Sequence, residues 1–124
     1  MLELYYMLQL ESNNTITSYQ FEPIHIQCED GTIYTPDILI NNHLLIELKS
    51  KKYINSLPLE DYNKFLYKVE QGNKYCLNNN LKYQVVYDEE IGFDSRQMKK
   101  HLQHHPELIA TYQIIFNQPE RIWS

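Results

Sequence analysis

The feature that most constrains this chain is a pair of short apolar runs, Ile38-Leu39-Ile40 and Leu44-Leu45-Ile46, separated only by Asn41-Asn42-His43. So short a link cannot hold a helix. Asparagine tolerates the positive φ of a tight turn, so the two runs should fold back on each other as antiparallel strands. Leu44-Leu45-Ile46 is apolar on both faces of a strand, which predicts a central place in a sheet. Each run is nevertheless bordered by charge, with Asp37 just before the first and Glu47-Leu48-Lys49 just after the second. Side chains alternate across a sheet, so Glu47 and Lys49 project from one face while Ile46 and Leu48 project from the other. Charge inside an apolar strand pair is expensive unless it is paired or binds a metal. Strand pairing lets Asp37, Glu47 and Lys49 converge on one patch.

The rest of the chain supplies a frame for this hairpin. Residues 2–11 read as a short helix, with Leu4 and Leu8 one turn apart. Residues 16–28 read as a long strand interrupted at Pro23, where the alternation shifts by one as a bulge or bend would cause. Glu29-Asp30-Gly31 is a turn. Residues 32–40 and 44–51 form the second and third strands. A helix is predicted from about Leu57 to Leu77, with Ser56 as its cap and Pro58 tolerated in its first turn. Gly72 is a poor helix former in its middle. Residues 82–88 form a fourth strand, and helices near 95–104 and 106–116, divided at Pro106, close the chain. The order α-β-β-β-α-β-α-α describes an α/β fold with a mixed sheet: a three-strand meander, a crossover helix, and a fourth strand brought alongside. No repeat or linker interrupts it, so residues 1–124 read as a single domain.

Composition narrows the partners. The formal net charge is -5, and a non-specific nucleic-acid binder usually carries a basic surface. An autonomous DNA binder is therefore disfavoured, while a local basic patch beside a carboxylate metal site is not. Cys28 and Cys76 make neither a disulfide framework nor a zinc box, and fit small buried residues in a reducing compartment. No apolar run reaches the roughly 18 residues of a membrane span. The opening Met-Leu-Glu-Leu-Tyr-Tyr lacks the basic start of a signal peptide. The expectation is a cytoplasmic protein of a bacterial or phage-infected cell.

Two carboxylates and a backbone carbonyl make an oxygen cage suited to magnesium, and an adjacent lysine can orient or deprotonate a water. Pro36-Asp37 followed by Glu47-Leu48-Lys49 resembles the PD-(D/E)XK nuclease signature. That superfamily's core order, helix, three-strand meander, helix, strand, matches the one above. Within it the chain is similar to the catalytic N-terminal domain of TnsA-type transposon endonucleases. The motifs that carry the likeness are Leu2-Glu3, Ser18-Tyr19-Gln20-Phe21-Glu22-Pro23, Tyr34-Thr35-Pro36-Asp37-Ile38 and Glu47-Leu48-Lys49. They span about residues 1–90.

The resemblance implies a restriction-endonuclease-like αβββαβ core with C-terminal helices. It implies a Mg2+-dependent endodeoxyribonuclease, with Mn2+ as an alternative ion, that leaves a 5′-phosphate and a 3′-hydroxyl. Asp37 would bridge the metal or metals, Glu47 and the carbonyl of Leu48 would be further ligands, and Lys49 would act on the nucleophilic water. Glu3 would complete the metal site. It stands unusually near the chain start, which leaves Glu11 and Glu22 as rival fourth acids. TnsA-type proteins usually carry a second domain, and this chain ends before one. A protein partner or homodimer is therefore expected to deliver the DNA, in a transposition or phage system, with no role for a membrane.

Other residues carry weaker signals. Lys51, Lys52, Lys64, Lys68 and Lys74 offer a phosphate-binding rim, or simply a solvated face; Lys64 and Lys68 share one helix face. Tyr53, Tyr62, Tyr67 and Tyr75 can stack on bases, though packing around the core is the more common use. His101, His104 and His105 read as an exposed helix end rather than a metal site. Asp88-Glu89-Glu90 reads as a solvated strand end. A non-catalytic module reusing the nuclease fold, such as a phage structural or inhibitor protein, is the competing function. Degenerate members usually lose a catalytic residue, and all three are present here. A nuclease for RNA or branched DNA would use the same metal site.

Overall fold

The computed structural model describes residues 1–117 and the backbone of residues 121–122. Helix α1 (Leu2–Glu11) leads into β1 (Ser18–Phe21), β2 (Ile26–Gln27), β3 (Ile33–Tyr34), β4 (Ile38–Ile40) and β5 (Leu44–Lys49). Helices α2 (Lys51–Ser56) and α3 (Leu59–Asn78) follow, then β6 (Lys82–Tyr87), α4 (Ser95–His104), α5 (Glu107–Phe116) and β7 (Arg121–Ile122). The main sheet has the order β6-β5-β4-β1-β7. Strands β1, β4 and β5 form an antiparallel meander, and α3 carries the chain across to place β6 parallel to β5. Strand β5 is thus interior, as its two-sided apolar run predicts. The mixed α/β class and the order of the principal elements are those expected.

Two prolines account for the main departure. The segments read as single strands, 16–28 and 32–40, are each cut in two, and their outer halves leave the main sheet. Neither Pro23 nor Pro36 has an N–H to give a ladder. The last link between the two segments on the main-sheet side is Glu22 N–H to the Asp37 carbonyl at 2.8 Å. Beyond it β2 and β3 form a separate two-stranded ribbon, pairing Ile26 with Tyr34 and Gln27 with Ile33. Glu22 takes up the bend with a φ of 48°, an uncommon conformation for a residue with a side chain.

Ser56 does not cap the long helix. It ends α2, which was not anticipated, and its hydroxyl donates to the Tyr53 carbonyl at 2.8 Å. Ser50 caps α2 instead, accepting from Tyr53 N–H. The long helix starts one turn-breaking proline later, at Leu59 after Pro58. Asp88-Glu89-Glu90 is not a plain strand end but the start of a 3-10 turn, and Asp88 Oδ1 accepts from Lys51 N–H at 3.0 Å. The turn between β4 and β5 is as expected: Asn41 and Asn42 have φ of 54° and 53°. Asn41 Oδ1 also accepts from Thr17 N–H at 2.7 Å, which ties the turn to β1.

Each face of the sheet has its own core. On one side lie Leu4, Met7 and Leu10, the buried stripe of α1, with Ile115 of α5 and Met98 of α4. They pack on Tyr19, Phe21, Ile38, Ile40, Ile46 and Leu48. On the other side Cys76 of α3 and the ribbon residues Ile26 and Tyr34 pack on Leu45, with Leu39 and Tyr83 at the margin. This second core is smaller, because α3 buries only Gln71, Gly72 and Cys76. The N-terminal half of α3, residues 59–70, has no buried residue. Strand β5 alternates between the two cores, and this alternation aims Glu47 and Lys49 at the α3 side.

Candidate active site

The site forms where the β4–β5 pairing runs out. Ile38 faces Ile46 as the last paired rung, and Asp37 and Glu47 are the next residues outward. Asp37 N–H still donates to the Ile46 carbonyl at 3.0 Å, while the Asp37 carboxylate bends to the strand edge and accepts from Leu48 N–H at 2.6 Å. One residue's N–H and carbonyl point to the same edge of a strand. The Leu48 carbonyl therefore faces the Asp37 side, beyond the end of β4. Glu47 lies on the α3 face and is buried, with 7% of its surface exposed. Lys49, two residues on, brings its Nζ to 3.5 Å from Glu47 Oε2. Asp37, Glu47, Lys49 and the Leu48 backbone thus meet at one corner of the sheet.

Electrostatics show how unusual the corner is. Burial, then the charge of Asp37, push the Glu47 carboxyl up to about 7, against a counter-pull from Lys49. Burial also raises Asp37, partly offset by the Leu48 N–H. Two carboxyl groups this close resist being charged together, and a nearby cation would relieve their repulsion. Glu47 Oε1 is fully buried and has no hydrogen-bond partner among the described residues. An orphaned carboxylate oxygen of this kind costs on the order of 1–3 kcal/mol or more when left unpaired, and a bound cation would satisfy it. The donor set of two carboxylates and a carbonyl, all oxygen, fits a hard ion such as Mg2+, which keeps several waters of its own.

The fourth acid is less tightly gathered. No group of three or more His, Cys, Asp or Glu side chains stands close enough to hold a metal among the described residues. Glu3 is 3.8 Å from the N-terminal ammonium, yet its charge bears on Asp37. Glu22, bent at its positive φ, approaches from the end of β1. Both are felt by Tyr112 of α5: burial, then Glu3, Glu22 and Asp37, push its hydroxyl up to about 12. Glu11 lies at the far end of α1, about 12 Å along the helix axis from Glu3, which leaves it poorly placed to share an ion with Asp37.

The lysines divide. Lys64 and Lys68, with Lys49, line a cleft of about 200 Å3 that also contains Tyr53 and Phe65. The same two lysines line a groove of about 630 Å3 that continues between α3 and the ribbon. Lys52 is exposed. Lys51 instead lies over the Tyr87 ring, 4.3 Å from its centre, and Lys74 pairs with Glu29 at 2.8 Å and Glu70 at 3.2 Å. Of the tyrosines, Tyr53 and Tyr62 are exposed, whereas Tyr67 and Tyr75 pack against the smaller core. The rings of His101 and His105 lie 4.7 Å apart, tilted by 44°, at the end of α4.

No local pattern in the sequence points to the hydroxyl pair of Tyr34 and Tyr83, 2.7 Å apart beneath α3. The one signal for it is the parity of the strands, since Tyr83 pairs with Leu45, two residues before Glu47.

A family model described as TnsA-like endonuclease N terminal matches residues 13–88, more than half of the chain. The match spans β1 to β6 with Asp37, Glu47 and Lys49, and leaves α1, α4 and α5 outside. The mixed sheet and its helices are restriction-endonuclease-like in arrangement. No curated protein and no solved structure matches the chain. No helix among the described residues is long and apolar enough to cross a membrane.

Proposed function

We propose, for a chain that belongs to the TnsA-like endonuclease N-terminal family, that it hydrolyses DNA phosphodiester bonds with a divalent cation held by Asp37, Glu47 and the Leu48 carbonyl. The observation that carries this reading is the buried Asp37–Glu47 pair with its unpartnered Oε1, set beside Lys49. Such an arrangement is costly in a metal-free fold and useful around a cation. Mg2+, or Mn2+ in its place, would lower the pKa of a bound water and neutralise charge developing on the phosphate.

The chain's own groups do the rest. Asp37 is oriented by the Leu48 N–H, so its free oxygen is aimed rather than mobile. Glu47, held at the α3 face, would supply the second carboxylate to the ion. Lys49 is partly exposed and free to turn from Glu47 to the attacking water or the scissile phosphate, where its ammonium orients the one and stabilises charge on the other. Glu3 is the favoured fourth acid, since its charge already reaches Asp37, with Glu22 as the rival. Lys64 and Lys68 join Lys49 in lining the cleft along α3, with Asp61 among them; the exposed Lys52 adds charge on α2, and Tyr53 offers a stacking face.

A net charge of -5 supports delivery of DNA by a partner protein or a second copy, since the basic track is local. The deciding experiment compares wild type with Asp37→Ala on supercoiled and linear duplex, with and without Mg2+. Nicking that needs Mg2+ and Asp37 supports the assignment. Equal Mg2+-dependent nicking by both proteins overturns it.

A further inference from the structure

Helix α4 (Ser95–His104) lies outside the segment matched by the family model, which ends at residue 88. It carries Arg96, Lys99 and Lys100 and no acid. These are three of the chain's 11 lysines and arginines, in a chain whose net charge is -5. Helix α3 is different: it sets Glu60, Asp61 and Glu70 against Lys64, Lys68 and Lys74.

Helical spacing sorts the residues of α4. Arg96, Lys99, Lys100, Gln103 and His104 recur at i, i+3, i+4, i+7 and i+8, so they form one stripe, and all five are exposed. Met98 and Leu102 lie on the other side of the helix and pack into the larger core. That packing turns the basic stripe outward, on the α1 side of the sheet, away from Lys64 and Lys68 on α3. Asp94 does not neutralise it, because its Oδ1 accepts from the backbone N–H groups of Arg96 at 2.9 Å and Gln97 at 3.2 Å. None of the three cations makes an ion pair among the described residues. The acids closest along the chain are Glu89 and Glu90 in the preceding turn and Glu107, which pairs with His105 at 3.4 Å.

The fold gains nothing from this grouping. Arg96 repels Lys99 and Lys100 at i+3 and i+4, and it stands in the first turn, where the helix dipole favours anions. An anionic partner reverses both effects. From Arg96 to His104 the stripe is about 12 Å long, roughly the rise of three to four base pairs. A guanidinium fork, two ammonium groups and the Gln103 amide are donors suited to successive phosphate oxygens.

We propose that the Arg96, Lys99 and Lys100 stripe of α4 is a second, sequence-independent docking surface for the phosphate backbone of duplex DNA, separate from the cleft at Lys49. The choice of DNA over another polyanion rests on the nuclease reading; the stripe itself does not need the cation site.

The test measures binding of the full chain to a labelled duplex in EDTA, by fluorescence anisotropy over a series of salt concentrations. It compares wild type with Arg96→Ala/Lys99→Ala/Lys100→Ala and with Lys74→Ala, whose ammonium is held by Glu29 and Glu70. The triple variant should bind about 10-fold or more weakly at low salt, with the slope of log affinity against log salt lower by roughly two to three. Lys74→Ala should match wild type. Circular dichroism reports folding; if the triple variant unfolds, the three single variants decide, each lowering the slope by about one. Equal affinity and slope in the folded triple variant and wild type, or no duplex binding by wild type at low salt, overturns the proposal. Binding of poly-glutamate in place of duplex, lost in the triple variant, also overturns it and makes α4 a site for an acidic protein. Nicking read in parallel separates the two readings. A wild type that nicks with Mg2+ while α4 proves irrelevant keeps the nuclease reading alone. A wild type that never nicks but binds duplex through α4 keeps the docking surface alone.

Discussion

Ile46 and Glu47 are neighbours in β5, and both are almost withdrawn from solvent, at 0% and 7% exposed. Their burial is of opposite kinds. Ile46 points into the larger core, among Ile38, Leu48 and the stripe of α1, where packing returns the cost of ordering it. Glu47 points to the α3 side, beside another acid, with one oxygen unpartnered. The difference teaches where stability and function separate in this molecule. At this end of β5 one face packs into the larger core, and the other, beyond the buried Leu45, holds charge that the fold alone does not repay. The two faces can therefore be broken independently.

The largest separation should come from Asp37→Ala and Lys49→Ala. Each is expected to lower Mg2+-dependent cleavage by roughly a thousand-fold or more, measured by plasmid nicking. Asp37→Ala loses the acceptor of the Leu48 N–H but also removes a buried like charge, so its unfolding midpoint should move little. The opposite profile is expected of Ile46→Ala. Removing this buried side chain should cost about 2–4 kcal/mol by denaturant unfolding, with the surviving folded fraction still able to bind Mn2+. If Ile46→Ala and Asp37→Ala lost stability equally, the division between the two faces would be false.

Much of this division could be read in the residues themselves. The apolar runs around Asn41-Asn42 specify a hairpin, and period two assigns Glu47 and Lys49 to one face and Ile46 and Leu48 to the other. What escaped is what depends on distant contacts. Pro23 marked an interruption while residues 32–40 read as one strand through Pro36, and only the three-dimensional arrangement reveals that the segments on the far side of both prolines form a ribbon of their own. Ser56 has the right chemistry for a helix cap and spends it inside α2, because Ser50 starts a helix where an extended strand seemed to continue. The Tyr34–Tyr83 pair was hidden because its partners are 49 positions apart and no local pattern joins them. Glu3 was legible as a candidate, but local sequence could not reveal that it stands near Asp37 without gathering into a three-acid cluster.

A smaller effect sharpens the polar face through pH. In the folded protein Glu47 titrates at about 7, above its ordinary 4.5, and Asp37 is displaced in the same direction. A carboxyl raised in this way favours the protonated fold. Its contribution is full below about pH 4.5 and is lost as the pH rises through 7. Metal-free wild type is therefore expected to lose about 1–3 kcal/mol between pH 5 and pH 8 from this group. Glu47→Gln should flatten that loss and be the more stable protein at pH 8. Saturating Mg2+ should restore wild type at pH 8, by about 2.7 kcal/mol at a hundred times its Kd, and should not restore Glu47→Gln to the same extent. Thermal melts at the two pH values, with EDTA or Mg2+, check all three signs.

The smallest effect concerns the track that leaves the polar face. Lys64 and Lys68 line the cleft that begins at Lys49, and their exposed ammonium groups are worth little to the fold. Lys64 has only a 3.7 Å pairing with Glu60 on the same helix surface, of the kind that contributes a few tenths of a kcal/mol. Removing either should leave the melting temperature within about a degree. Deleting one phosphate-binding ammonium should lower the slope of log affinity against log salt by about one. Lys64→Ala and Lys68→Ala are then expected to raise KM for DNA several-fold at moderate salt, with kcat nearly intact, and to differ less from wild type as salt increases. Lys74→Ala is the internal comparison, because its ammonium is held by Glu29 and Glu70 away from the cleft. It should leave the salt slope unchanged. Equal slopes for Lys68→Ala and Lys74→Ala would mean that DNA does not follow α3, and the path from Lys49 would have to run over α2, past Lys52 and Tyr53.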